Sequence, residues 1–301
     1  MKRRHTSRIV AALVALAAAA SLAACDLDDL SPGIQSTAAR TAVFATSGTP
    51  SLVVRSSNGA VTVRGVPGQE DVQVTATLRS RGQTLDEADE RISRIVLHMT
   101  QEADRITLSY IASEQDADVR KYSGVEFSLT VPAEADATID TSNGAVAVSG
   151  VTGILKVDTS NGQISVDHFT GELQAETSNG QIIVSSGEAA LRLVTSNGAI
   201  LMSDLSASVD ARTSNGLIRF SGDLAPGTHR MVTSNGQIRV EVPATSAISL
   251  HADTGNQSIG SDLPWVGDTS GTAWDATLNA PATADLTLST SNGSIWIGAL
   301  P

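Results

Sequence analysis

The sequence is short of the residues that build thick cores and reactive sites. Aromatic residues make up 3% of it, four Phe, three Trp and two Tyr in 301 residues. Large rings supply much of the buried area of ordinary cores, so this scarcity argues for a thin core filled by Val, Ile, Leu and Thr. Cys25 is the single cysteine, which excludes an internal disulfide. Beyond Lys2 the only lysines are Lys121 and Lys156, poor equipment for a lyase acting on polyanions. Positive charge is short altogether, and the formal net charge is −12. Loss of Lys2, Arg3, Arg4 and Arg8 with a leader takes that charge from −12 to −16. Such a surface repels nucleic acid and anionic lipid headgroups, so nucleic acid is excluded as a partner. No Gly-rich phosphate loop precedes a helix.

What is present begins with a secretory leader. Four basic residues precede an apolar run over 9–20, too short to span a bilayer, which takes about 20 residues. The run ends in Leu22-Ala23-Ala24-Cys25, which resembles the lipobox cut by lipoprotein signal peptidase. That resemblance implies a signal peptide over 1–24 and acyl chains, palmitate among them, on Cys25. Two or more chains anchor a protein stably. Export and attachment to the cell membrane or outer membrane follow, and residues 25–41, without hydrophobic periodicity, read as a flexible tether.

The rest of the chain is organised by a repeat. Ser-Asn-Gly recurs with its Asn at 58, 143, 161, 179, 197, 215, 235 and 292, and the spacing is 18 from 143 to 215, then 20. A fixed period marks a stacked architecture. Thr stands two before the Asn in every copy but the first, at Thr141, Thr159, Thr177, Thr195, Thr213, Thr233 and Thr290, paired with Asn143, Asn161, Asn179, Asn197, Asn215, Asn235 and Asn292. Apolar residues fall six and four before the Asn (Leu173 and Ala175) and three and five after it (Ile182 and Val184). This period-two alternation on both sides describes half-buried strands joined by a turn, where Gly takes a positive φ at no cost. A meander of hairpins fits the alternation. Recurrence of the same polar residue at the same site favours a solenoid, in which inward Asn amides and Thr hydroxyls stack into ladders. The expected fold is all-β, a parallel β-helix-like solenoid with rungs of about 18 residues and a small irregular α/β N-terminal cap.

Residues 42–135 are expected to hold the first rung and this cap. Strands are predicted over 72–78, 95–99, 105–111 and 125–131, and Thr84 caps a helix predicted over 85–93. Residues 136–301 carry the regular rungs, a degenerate copy at 254–259, and a Trp-bearing loop before the closing rung. Trp265 and Trp274 in that loop either cap the core or form a binding patch for a sugar or partner.

Val125-Glu126-Phe127-Ser128-Leu129-Thr130-Val131-Pro132, followed by the Thr-Ser-Asn-Gly-x-Ile run, resembles the bacterial "putative adhesin" family, a domain of unknown function rich in β-strand repeats. The resemblance implies a β-solenoid and brings no catalytic residues.

Candidate chemistry is sparse. Asp140, Asp158 and Glu176 each lie three before an Asn, so they stack outward as an acidic stripe, a solvated face in preference to a calcium site. No mature His has a second ligand at metal spacing, and these His residues are expected at the surface or at corners. No metal, cofactor or catalytic residue is assigned. The expected function is a non-catalytic, adhesin-like envelope module. It is held to the membrane through Cys25, its partner is an envelope protein or glycan, and Ile183 and Leu201 are exposed on adjacent rungs. The alternatives are a carbohydrate-active enzyme and an envelope-stress accessory protein.

Overall fold

The computed structural model describes residues 33–112 and 116–300. The leader, Cys25 and tether residues 25–32 lie outside them. Within them the chain is a β-solenoid of parallel rungs. Each rung gives one strand before its Asn-Gly corner and one after it, and equivalent residues of successive rungs are paired. Leu155 lies beside Leu173, Thr159 beside Thr177 and Ile164 beside Ile182. The 18-residue period is therefore the ladder register itself. Side chains of one parity point inward, and Leu173, Ala175, Ile182, Val184, Leu193 and Ile200 are all buried in one thin continuous core.

The corner opposite Asn-Gly is a bulge inside a continuous strand such as Ile164–Thr177. His168, Ser186 and Asp204 adopt left-handed φ values of 49°, 59° and 55° there, and Gly150 takes 68° one rung earlier. The extra residue flips the parity, so that Val166 and Phe169 both face inward. The positive φ expected at Asn-Gly is found at this second corner in the regular rungs.

Rung order departs from chain order at both ends. The first copy (Ser51–Arg55 and Val61–Val66) pairs with Asp136–Thr141 and Val146–Ser149 on one side. On its other side it pairs with Arg105–Ile111 and Ser123–Pro132. At the far end the last copy, Ala284–Thr290 and Ile295–Ala299, is inserted between the rung at Gly227–Thr233 and the degenerate copy at Ile248–Thr254. Each terminal segment is thus held between two others.

Antiparallel strands close the open ladders. Val96–Glu102 pairs with Arg105–Ile111, and Asp71–Gly82 pairs with Ser123–Pro132. At the C-terminal end Ala273–Leu278 pairs with Ile248–Thr254. Covered ends prevent edge-to-edge association of rods. The helix Leu85–Ser93 forms as predicted: the Thr84 hydroxyl accepts from the Glu87 amide, and Ala88 and Ile92 are buried. A second helix, Ala117–Tyr122, was not anticipated.

The tether expectation needs correction over residues 34–41. They belong to a 12-residue strand, Ile34–Ala45, paired antiparallel along its whole length with Asp71–Gly82. Its small residues show weak alternation because it lies at the sheet edge beneath the first helix, where Ala42 and Phe44 are buried and Ala38 packs partly buried against the core.

Candidate functional site

The repeated motif is built around close approach of rungs. Gly162, Gly180, Gly198, Gly216, Gly236 and Gly293 are buried, and none has a positive φ. A Cβ at Gly180 would lie 1.8 Å from the Gly162 carbonyl oxygen, with the other five similarly blocked by the preceding glycine. Glycine is required here because there is no space, which corrects the dihedral explanation.

Thr and Asn satisfy the corner. The Thr177 Oγ1 accepts from the Gly180 amide at 3.1 Å and donates to the Gly162 carbonyl at 3.2 Å. This links each rung to the one before it, whereas hydroxyl-to-hydroxyl stacking had been expected. The same pair recurs at Thr159, Thr195, Thr213, Thr233 and Thr290. Thr141 is buried too, but its hydroxyl has no partner in the structure. The Asn side chains do form the expected ladder, but on the outside. Asn143 donates to Asn58, Asn161 to Asn143, Asn179 to Asn161, Asn197 to Asn179 and Asn215 to Asn197. Asn235, Asn292 and Asn256 extend it at 2.8–2.9 Å. From Asn143 onward these residues are exposed, because the turn folds Gly inward and pushes Asn out.

The outer faces carry the remaining candidates. Register places Asp140, Asp158 and Glu176 side by side, with Arg55 next in the column beside Asp140. Partial burial, then Glu176 and Asp140, raise the pKa of Asp158, and neighbouring Lys156 opposes them. The column continues as Val194 and Arg212. No cluster of three or more His, Cys, Asp or Glu suited to a metal occurs among the described residues. On the other sheet Ile183 and Leu201 are adjacent and half-buried. Ser185, Asp167 and His168 are linked on the surface, but Asp167 is central, accepting from Ser185 and contacting His168 at 2.7 Å. The serine therefore meets the carboxylate and not the imidazole, which is not the order of a Ser–His–Asp relay.

One expectation about an individual side chain changes, at His229, and the alternatives for Trp274 are decided in favour of capping the core. His229 is fully buried, because it occupies the inward column of Val209 and Leu286. Its Nδ1 accepts from the Val209 amide at 3.3 Å, and its Nε2 faces the Ala225 carbonyl at 2.7 Å. The longer 20-residue repeat supplies that carbonyl. Burial lowers the pKa of His229. Trp274 is in the core, which removes it as a binding surface, and Trp265 packs partly buried against the core with its indole N–H on Ser261. Trp296 is half-buried on a sheet face, where it lies against Gly260 and Gly298.

The sequence reading missed a groove of about 420 Å³ at the N-terminal cap, lined by Asn58, Arg79, Arg81, Lys121, Tyr122 and Glu126 among others. The sequence signal is weak: residues 79–121 hold seven of the 20 Lys and Arg but also nine Asp and Glu.

Parallel rungs, paired in register and tied by Thr–Gly and Asn–Asn bonds, define a β-solenoid repeat protein whose motif is consumed by stacking. Residues 50–298 match the Toastrack DUF4097 family, and the chain belongs to it. The family's function is unknown. Among solved structures, a "putative adhesin" from Bacteroides fragilis is 13% identical with a TM-score of 0.44, covering 87% of this chain and 97% of that one. A "putative cell adhesion protein" from Clostridium sporogenes is 10% identical with a TM-score of 0.32, covering 88% and 100%. A "putative lipid binding protein" from Parabacteroides distasonis is 12% identical with a TM-score of 0.34, covering 87% and 97%. No curated protein matches the sequence. No helix among the described residues is long and apolar enough to cross a membrane.

Proposed function

We propose that the protein is a cell-envelope lipoprotein, anchored through Cys25, that works as a non-catalytic adhesin-like binding or structural module. The observation that carries this reading is how the repeat spends its polar groups. Thr, Asn and Gly at each corner bond to the neighbouring rung, and the faces between corners are long regular arrays of mixed side chains. Such an array suits contact with an extended partner, as in other solenoids. The lipobox at Cys25 gives the reason for export and attachment.

The test is a pull-down from envelope extract with the mature chain, in parallel with a glycan-binding and glycan-cleavage screen. Saturable capture of an envelope protein or glycan, weakened by charge substitution at Ile183 and Leu201, is the expected result. Cleavage of a glycan, lost when Asp140, Asp158 and Glu176 become Ala, would replace this reading with the carbohydrate-active enzyme.

A further inference from the structure

The acidic chain carries one groove whose charged lining, Arg79, Arg81, Lys121 and Glu126, is locally basic. The groove at the N-terminal cap lies between strand Asp71–Gly82, strand Ser123–Pro132 and the corner at Asn58. Arg79 is paired with Glu126 there. Arg81 and Lys121 form no ion pair among the described residues, which leaves the groove with an excess of positive charge. The Lys121 ammonium is 4.8 Å from the centre of the Tyr122 ring, and the Arg91 guanidinium is 5.1 Å from it. The Asn ladder ends at Asn58 on the groove wall, where the Asn58 side-chain amide donates to the Arg120 and Ser123 carbonyls.

Position in the chain selects the occupant. Gln35 lines the groove, ten residues after Cys25. Ten extended residues span at most about 35 Å, so lipid on Cys25 would keep the groove close to a bilayer. Apolar side chains border the same end: Ile34, 48% exposed, is paired with Gly82, and Leu85, 51% exposed, opens the helix that follows. Cations, a tyrosine and exposed aliphatic residues together suit the bilayer interface, where Arg and Lys meet phosphate and Tyr sits at headgroup level.

We propose that this groove seats the phosphate of an anionic phospholipid headgroup, and that the rod stands on the membrane on its N-terminal end. The inference rests on the anchor reading of Cys25. The acidic remainder of the rod is repelled by the same surface, which directs its sheet faces away from the bilayer. Residues 33–132 hold 10 Lys and Arg against 12 Asp and Glu, and residues 133–300 hold 6 against 17, so the local excess in the groove disappears in the total.

The experiment uses the mature chain with Cys25→Ser, so that no acyl chain contributes, and vesicles of phosphatidylcholine with and without phosphatidylglycerol at ~0.1 M salt. The protein should co-sediment with phosphatidylglycerol vesicles and not with pure phosphatidylcholine. The exposed pair Arg81→Gln and Lys121→Gln should weaken binding about 30-fold, since each surface cation contributes about fivefold. Arg192→Gln with Arg230→Gln, on the shaft, should leave binding unchanged. Matching circular dichroism and unfolding midpoints keep the comparison between folded proteins. Equal binding to both vesicles, or no effect of the groove substitutions, overturns the proposal. Inorganic phosphate binding through Arg81 and Lys121 without vesicle binding overturns it in favour of a soluble phosphate site. Failure of the anchor is read separately, from the mass of the Cys25 peptide isolated from native membranes.

Discussion

Gly180→Ala is the sharpest perturbation of the stack. The added methyl carbon would stand 1.8 Å from the Gly162 oxygen, 2.6 Å from its carbonyl carbon and 2.9 Å from Thr177 Oγ1. Ordinary contact begins near 3.4 Å, so the rungs must part locally by about 1.6 Å where backbone faces backbone. That opening breaks the Thr177–Gly162 bond (3.2 Å), the Asn179–Asn161 side-chain bond (2.8 Å) and the Asn179–Ser160 backbone bond (3.0 Å). At about 1 kcal/mol for each of the three bonds, plus 1–3 kcal/mol for overpacking, the cost is about 4–6 kcal/mol. Gly180→Asn is the discriminating companion. Asn tolerates left-handed φ, so it would rescue a dihedral requirement, whereas close approach predicts damage at least as great as with Ala. Denaturant unfolding by circular dichroism measures both, with outward-facing, half-buried Gln181→Ala expected within about 0.5 kcal/mol of the parent. A Gly180→Ala protein of parental stability, or rescue by Asn, would refute the close-approach argument.

Other consequences follow from the same corner and from the buried polar groups. Thr177→Val keeps the shape but strands the Gly180 amide and Gly162 carbonyl, costing about 2–3 kcal/mol in denaturant unfolding; Thr177→Ser should recover most of it. Asn179→Asp loses the donor to Asn161 and faces its oxygen with a carboxylate, so it should destabilise more than Asn179→Ala near neutral pH and recover in acid. His229 has a lowered folded pKa, so below about pH 6.5 the unfolded chain takes up a proton that the folded chain refuses. Stability therefore falls with pH through that window until the folded pKa is reached. His229→Leu should remove this component while lowering stability at pH 8, since the Val209 amide and Ala225 carbonyl lose their partner. Asp158 has a raised pKa, so its ionised form is disfavoured above that value. Asp158→Asn should add a few tenths of a kcal/mol at pH 7, an increment absent in acid.

The rungs were legible because a stacked register turns sequence period directly into neighbours. Leu173, Thr177 and Ile182 meet their 18-residue equivalents, and parity alone assigns their burial. Three features were not legible, each for a physical reason. Outward Asn and inward Gly differ by one step at a tight turn, where strand parity gives no guidance. The swapped rung order at both ends joins Ser51–Arg55 to Asp136–Thr141 and Ala284–Thr290 to Gly227–Thr233, and a period specifies which residues are equivalent without specifying which rungs touch. The groove is assembled from four separate segments, so only its cations were visible in the sequence, diluted by the acidic total. His229 escaped because an apolar pattern tolerates one polar member when backbone groups meet both its nitrogens.

The lipoprotein reading makes the protein an envelope rod held at the membrane by its N-terminus. Mass spectrometry of the N-terminal peptide of the protein purified from its own membranes tests that claim most directly. A peptide beginning at Cys25 and carrying thioether-linked diacylglycerol, with the protein released from membranes by Cys25→Ala, is the predicted result. A free Cys25 thiol, in a chain that leaves the membrane without detergent, would contradict it.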